Sequence, residues 1–117
     1  MLHAAGVLRD MMVSCASAES LDAVFAPKSL AVSHLHSTMS QSPMHFQASF
    51  SSWVSLVGSA GQASYVSANA CLNALSQRER SAGRSCSSLE LPPVSGLGMS
   101  APLFAVSYTH LTLPTKA

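Results

Sequence analysis

Four polar residues of this 117-residue chain have side chains suited to the reduction of a carbonyl group. Tyr65 and Asn69 are four residues apart, so a helix would stack them on one face. Ser52 precedes them at the predicted end of a strand, and ligands bind at that edge of parallel α/β sheets. A serine hydroxyl can polarise a carbonyl while a phenol gives its proton to the oxygen and hydride reaches the carbon.

Lys28 is the candidate for activating the phenol of Tyr65. A phenol has a pKa of about 10 in water and is a weak acid at neutral pH unless a nearby charge stabilises its phenolate. Lys28 can supply that charge, because the other lysine, Lys116, lies in the C-terminal segment. Spacing alone does not establish this chemistry, since serine is abundant here and a Tyr–Asn pair with this spacing arises by chance.

The elements that must position these residues alternate between strands and helices. Residues 17–37 have helical periodicity and begin with Ser17 at the N-cap position. Pro27 is expected to break or kink this helix, because it lacks an N–H and clashes with the preceding turn. The remaining predicted elements are an opening strand near residue 3, strand 46–52, helix 63–80 and strand 86–91. This order predicts an α/β fold with a parallel sheet.

Apolar residues predict which helix faces are buried. The first helix would bury Leu21, Val24, Phe25, Leu30, Val32 and Leu35, and the second would bury Val66, Ala70 and Ala74. The arginines at the end of the second helix (Arg78, Arg80 and Arg84, with Glu79 among them) are interpreted as a solvated helix end, where cations complement the helix dipole.

Composition excludes several classes of function. The net charge of +1 argues against a nucleic-acid or anionic-membrane partner, because both require clustered Lys and Arg. Three cysteines without a CxxC pair argue against a disulfide framework, and His34 and His36 lack a third ligand for a metal site. No apolar run is long enough to span a membrane and no signal peptide is recognised, so a cytoplasmic location is expected.

Three stretches of the sequence resemble the ketoreductase domains of polyketide synthases. Residues 50–75 read FSSWVSLVGSAGQASYVSANACLNAL. That family reads Phe-Ser-Ser, a Gly-rich loop, Gly-Gln-Ala-Asn-Tyr, and then Ala-Ala-Asn-Ala-Phe-Leu-Asp-Ala-Leu. Residues 3–8 (HAAGVL) and 21–28 (LDAVFAPK) are similar to the family's His-Ala-Ala-Gly-Val-Leu and Leu-Asp-Ala-Val-Leu-Ala-Pro-Lys. After the last strand the family has a Trp-Gly segment, whereas this chain continues from Glu90 with Leu-Pro-Pro.

The resemblance implies a partial Rossmann-like, doubly wound parallel sheet, the C-terminal half of a short-chain dehydrogenase/reductase fold. It assigns catalytic roles to Ser52, Tyr65, Asn69 and Lys28. Ordinary members of that superfamily keep the lysine four residues after the tyrosine, where this chain has Asn69. Ketoreductases take the lysine from the preceding helix, so the resemblance disfavours a free-standing alcohol dehydrogenase. The implied NADPH-binding residues are His3, Ala4, Ala5, Gly6, Tyr65 and Lys28.

Asp10 is implied to influence the stereochemistry of the product. Ketoreductases that make the B-type alcohol carry a Leu-Asp-Asp motif after the fourth strand, and this chain has Leu8-Arg9-Asp10. A-type members instead have a tryptophan eight residues before the tyrosine, where this chain has Val57. The resemblance therefore favours a B-type product.

The resemblance also suggests how the chain is divided. Residues 1–100 are interpreted as a ketoreductase fragment without the N-terminal nucleotide-binding half, because no G-x-G-x-x-G turn is present. Residues 101–117 are interpreted as a disordered or non-native tail, and we hypothesise that residues from Val106 onward are a foreign reading frame. The isolated chain is therefore expected to bind NADPH poorly and to aggregate.

The reaction implied for the intact domain is reduction of a β-ketoacyl thioester to its β-hydroxyacyl form with NADPH. The substrate would be carried on the phosphopantetheine of an acyl-carrier protein, among the other domains of a megasynthase. Two alternatives remain open: the ketoreductase domain of a fatty acid synthase, and a catalytically silent structural half-domain.

Overall fold

The computed structural model describes residues 1–39, 41–42 and 45–93 of the chain. Its three strands are parallel and lie side by side in chain order: β1 (Leu2–His3), β2 (Gln47–Ser52) and β3 (Cys86–Leu91). The register pairs His3 with Ser49 across the first interface, and Ser52 with Leu91 across the second. The predicted α/β fold with a parallel sheet is confirmed.

The helices connect these strands in the predicted order. A 3₁₀ turn (Val13–Cys15) precedes α1 (Ala18–Phe25), a π-helical turn (Ala26–Leu30) and α2 (Ala31–Met39), while α3 (Val54–Val57) and α4 (Ala63–Ser81) join β2 to β3. The predicted N-cap is confirmed, because Ser17 Oγ accepts from the Ser20 amide at 3.2 Å. Ser20 Oγ in turn accepts from the Ser17 amide at 3.0 Å, which completes a reciprocal cap.

Pro27 widens the first helix and does not end it. The helix continues through the π-helical turn at residues 26–30, which accommodates a residue that has no N–H to donate. The wider turn also shifts the buried stripe, which runs through Val24, Lys28 and Val32. The predicted apolar face was wrong in part, because Leu21, Leu30 and Leu35 are 40%, 46% and 38% exposed.

The buried face of α4 is a mixed one and differs from the predicted apolar face. Val66 is half-buried, and Ala70 and Ala74 are exposed. The buried residues of this helix are Ala68, Asn69, Leu72, Ser76 and Glu79. The prediction was wrong because alanine and serine occur all around this helix, so its apolar residues carry little directional information.

The arginines at the end of α4 surround a buried carboxylate. The side chain of Glu79 is 1% exposed and accepts hydrogen bonds from Arg84 and Arg78, and His36 Nε2 lies 3.0 Å from its Oε2. The interpretation as a simple solvated helix end was therefore incomplete. The arginine side chains are 57–68% exposed, but they hold a carboxylate inside the protein.

The two faces of the sheet differ in how far their side chains are buried. The helical face carries Ser51, whose Oγ donates to the Asn69 carbonyl at 3.2 Å, and Cys86, whose Sγ lies 3.5 Å from Ser76 Oγ. On the opposite face, the large side chains of Leu2, Leu89 and Leu91 are 66%, 46% and 45% exposed.

Two predictions concern other aspects of the chain. The tail predicted at residues 101–117 lies outside the described residues. Within the part of the chain that the structure describes, no helix is long and apolar enough to cross a membrane.

Candidate active site

The carboxyl ends of β1 and β2 form the edge on which the predicted site residues gather. Ala4, Ala5 and Gly6 follow β1 directly, and Ala4 and Ala5 are exposed. Ser52 is the last residue of β2, and Tyr65 lies in the first turn of α4. Because parallel strands end at the same edge of a sheet, these groups share the edge where α/β folds bind ligands.

Lys28 is buried against Tyr65. Its side chain comes from the π-helical turn and its residue is 4% exposed. Its Nζ donates to the Phe50 carbonyl at 3.1 Å and lies 5.4 Å from the centre of the Tyr65 ring. Burial lowers the pKa of Lys28 because the charged ammonium loses water. The lysine predicted to serve Tyr65 is therefore at its side, although it comes from a different helix.

Asn69 is fully buried one helical turn after Tyr65. Its Nδ2 donates to the Tyr65 carbonyl at 2.8 Å, and its own carbonyl accepts from Ser51 Oγ at 3.2 Å. Its Oδ1 has no hydrogen-bond partner within residues 1–39, 41–42 and 45–93. A buried amide oxygen in this position can accept a hydrogen bond from a ligand or a water.

The hydroxyl groups of Ser52 and Tyr65 are both uncommitted. Both residues are half-buried, and neither hydroxyl has a hydrogen-bond partner among the described residues. No hydrogen bond joins the two side chains directly. Both hydroxyls therefore remain able to contact a carbonyl oxygen brought to this edge of the sheet.

His3 lies behind the site, beside the helix that carries Lys28. It is 8% exposed, and its Nδ1 has no partner among the described residues. Burial lowers the pKa of His3, the Pro27 carbonyl opposes this effect, and the charge of Lys28 adds to it. The neighbouring Ala4 and Ala5 are more accessible to a ligand than the imidazole of His3.

Asp10 is linked to the turn that precedes Tyr65. Its Oδ2 accepts from Gln62 Nε2 at 3.2 Å, and the amide of Met11 donates to the Gly61 carbonyl at 2.8 Å. The segment after β1 is therefore connected to the start of α4. Sequence reasoning did not identify Gln62, because only the fold brings residues 10 and 62 together.

Asn73 is a second residue that sequence reasoning missed. Its Nδ2 donates to Ser55 Oγ at 2.9 Å and to Glu90 Oε1 at 2.7 Å, and its Oδ1 accepts from Ser88 Oγ at 2.9 Å. The available signal was its spacing, because Asn73 follows Asn69 by four residues as Asn69 follows Tyr65.

Comparison with known proteins identifies the family of this chain. A profile of the family described as KR domain matches residues 1–96. The polyketide synthase GfsA of Streptomyces halstedii is 43% identical over 88 residues, which are 75% of this chain and 1% of that protein. A 6-methylsalicylic acid synthase of Arthrobotrys oligospora is 39% identical over 115 residues, which are 98% of this chain and 6% of that synthase.

A solved structure extends the similarity to three dimensions. The structure of PlmKR1, the ketoreductase from the first module of phoslactomycin biosynthesis in Streptomyces sp. HK803, is similar with a TM-score of 0.70. The two chains are 37% identical, and the match covers 76% of this chain and 20% of that one. The chain thus spans only a small part of each of these relatives. It belongs to the ketoreductase (KR) domain family of polyketide synthases, within the short-chain dehydrogenase/reductase superfamily.

Proposed function

We propose that these residues form the carbonyl-reducing site of a domain that converts a β-ketoacyl thioester into its β-hydroxyacyl form. The observation that carries this proposal is the buried ammonium of Lys28, 5.4 Å from the ring centre of Tyr65 at the carboxyl edge of the sheet. An ammonium buried beside a phenol costs solvation free energy, and the stabilisation of a phenolate during proton transfer gives it a role.

Tyr65 is the proposed proton donor. Its unpaired hydroxyl would give its proton to the β-oxygen, and the charge of Lys28 would stabilise the phenolate that remains. The unpaired hydroxyl of Ser52 would donate a hydrogen bond to the same oxygen and polarise the carbonyl. Asn69 would hold a water through its free Oδ1 and keep the first turns of α4 in place through its bond to the Tyr65 carbonyl.

The exposed backbone after β1 favours a nicotinamide cofactor in this site. Ala4, Ala5 and Gly6 would line its binding surface, and Lys28 and Tyr65 would contact its ribose side. Bound there, NADPH would supply the hydride. The β-carbon of the substrate would accept that hydride and the oxygen the proton of Tyr65, so that the products are an alcohol and the oxidised cofactor. His3, behind Lys28, would support this surface from inside.

An acyl-carrier protein is the proposed donor of the substrate. The synthases similar to this chain are far longer than the matched segment, which favours a domain that works among others and receives its thioester from a carrier. Asp10, placed by Gln62 next to the turn before Tyr65, would help to set the face of the carbonyl that is reduced. A B-type alcohol remains the predicted product, and nothing favours a fatty acid synthase domain or a silent half-domain.

Replacement of Tyr65 tests the proposal. In the intact ketoreductase domain that carries these residues, Tyr65→Phe should lower the rate of NADPH consumption with a short β-ketoacyl thioester by at least ~100-fold. Ser67→Ala is a matched control, because it removes an exposed hydroxyl from the next turn of the same helix. Wild-type rates in Tyr65→Phe would contradict the assignment of the proton donor.

A further inference from the structure

We propose that Asn73 is a positioning residue, which holds the backbone of Ser52 in place through the hydroxyl of Ser55. The inference rests on the proposed function, because it takes Ser52 as the group that polarises the carbonyl. Neither the residue type of Asn73 nor its position in the sequence would by itself indicate this role. The assignment comes from a chain of hydrogen bonds between α4 and the end of β2.

Both hydrogen bonds that link Asn73 to Ser52 are donated in the direction of Ser52. Asn73 Nδ2 donates to Ser55 Oγ at 2.9 Å, and Ser55 Oγ donates to the Ser52 carbonyl at 2.7 Å. An amide nitrogen can only donate, so the oxygen of Ser55 accepts from it and directs its single proton toward Ser52. The amide of Asn73 thereby fixes which way the Ser55 hydroxyl points.

The far side of Asn73 is anchored on β3. Its Oδ1 accepts from Ser88 Oγ at 2.9 Å, and its Nδ2 donates to Glu90 Oε1 at 2.7 Å. Both donors and the acceptor of the amide are therefore used, which leaves the side chain one orientation. The anchor is close to the site along the sheet, because Leu91 of β3 is in register with Ser52.

The network requires an amide at position 73. The family sequence Leu-Asp-Ala-Leu has an aspartate where this chain has Asn73. A carboxylate there would accept the proton of Ser55 and so release the Ser52 carbonyl, and it would also face the carboxylate of Glu90.

Placement of the Ser52 hydroxyl depends on its backbone. That hydroxyl has no partner among the described residues, so its own side chain is not held by a hydrogen bond. Misplacement of a reacting group by about 1 Å can cost roughly 100-fold in rate. Because Tyr65 and Asn73 lie on the same helix, the network also keeps Ser52 in a constant position relative to Tyr65.

Kinetics of the intact ketoreductase domain test the proposal. Ser55→Ala and Asn73→Asp should each lower kcat about tenfold and leave the KM for NADPH unchanged, and Ser55→Thr should keep the wild-type kcat. The double variant Ser55→Ala/Asn73→Asp should lose no more than either single variant, because both act through one link. In a Ser52→Ala background, neither substitution should change kcat further.

The outcomes separate this proposal from the proposed function. If Ser52→Ala lowers kcat but Ser55→Ala does not, or if the two losses add, the positioning role is overturned and the role of Ser52 stands. If Ser52→Ala leaves kcat unchanged, the proposed role of Ser52 fails. Amide hydrogen exchange at residues 53–57 then decides the backbone link. Faster exchange in Ser55→Ala and Asn73→Asp supports it, and unchanged exchange overturns it.

Discussion

The two ends of α4 both bury polar side chains, but they treat them in opposite ways. At the start of the helix, Asn69 is fully buried with a free Oδ1, and the hydroxyl of Tyr65 has no partner among the described residues. At its end, Glu79 is 1% exposed and is surrounded by Arg84, Arg78 and His36. One helix therefore carries a polar cluster with unpaired hydrogen-bonding groups and a carboxylate whose two oxygens are both paired.

The site around Lys28 and Tyr65 and the site around Glu79 differ in how their charges are balanced. The carboxylate of Glu79 has two arginine partners and lies beside His36, and the hydrogen bond from Arg84 is the main reason that its pKa is lowered despite burial. Lys28 has no carboxylate within ion-pair distance in the described part of the chain, and burial lowers its pKa. We infer that the residues around Glu79 stabilise the fold, whereas under the proposed function burial of Lys28 lowers stability and holds its charge ready for a substrate.

The largest expected effect comes from removal of the charge beside Tyr65. In the intact domain, Lys28→Met should lower the rate of carbonyl reduction by roughly 100-fold, because the phenolate loses its stabilising charge. The free energy of unfolding should stay the same or rise, since a desolvated ammonium is replaced by an apolar chain of similar length. Steady-state kinetics and urea unfolding check the two statements. If Lys28→Met lost much stability and kept full activity, Lys28 would be a structural residue like Glu79.

The opposite result is expected at the other end of the helix. Glu79→Gln should lower the free energy of unfolding by ~2 kcal/mol, because the hydrogen bonds of Arg84 and Arg78 lose their charged acceptor. The rate of carbonyl reduction should be unchanged. Urea unfolding measures the loss, with Glu19→Gln as the matched control on the exposed surface. Equal effects of the two substitutions would show that burial of Glu79 contributes nothing.

Stability should respond to pH differently at the two clusters. Since the folded pKa of Glu79 is lowered, its contribution is fully present above the ordinary pKa of a carboxyl and is lost as pH falls through the lowered value. Since the pKa of Lys28 is also lowered, its unfavourable burial is relieved as pH rises from the lowered toward the ordinary pKa of a lysine.

Unfolding midpoints measured across pH distinguish the two contributions. The difference between wild type and Glu79→Gln should shrink in acid, and the difference between wild type and Lys28→Met should shrink in alkali. Protonation of His3 also destabilises the folded protein in acid, because the folded pKa of His3 is lowered as well. This loss is the same in wild type and in Glu79→Gln, so it does not affect their difference. Parallel curves for wild type and Glu79→Gln down to strong acid would contradict the role of the carboxylate.

The smallest effect is expected at a site distant from both clusters. Ser17→Ala should lower the free energy of unfolding by about 1 kcal/mol, because the amide of Ser20 loses its acceptor at the start of α1. Ser17→Asp, which keeps an acceptor at the N-cap, is the matched control. Thermal unfolding measures both. A loss as large as that of Glu79→Gln would mean that the buried carboxylate contributes no more than an ordinary helix cap.

Local sequence predicted the elements of the fold, whereas the site residues remain a prediction from resemblance. The cap at Ser17 and the strand at residues 86–91 depend on short-range signals, and the structure has both. Lys28 and Tyr65 were paired by resemblance to a family, which carries tertiary information that spacing does not.

The missed features depend on the phase of the first helix and on tertiary contacts. In a regular α-helix Leu35 would lie on the same face as Val24, and it is exposed because the π-helical turn changes the phase, a change that helical periodicity does not show. Glu79 is buried where His36 of α2 meets it, and Arg84 reaches it from the turn after its own helix. Asn73 acquires its partners from α3 and β3, which are distant in sequence.

The π-helical turn makes the direction of the Lys28 side chain depend on the number of residues in this part of the helix. A turn that closes over five residues behaves as an α-helical turn with one residue inserted. Each residue of an α-helix advances the side chain by about 100°, so a regular helix would place Val32 about 80° around the axis from Val24. The extra residue of the π-helical turn absorbs most of that angle, and both valines are buried. Deletion of one residue between Val24 and Lys28 would restore a regular turn with the valines still aligned, but it would rotate Lys28 by about 100° relative to Val24. The extra residue therefore matters more to the direction of the lysine than to the packing of the helix.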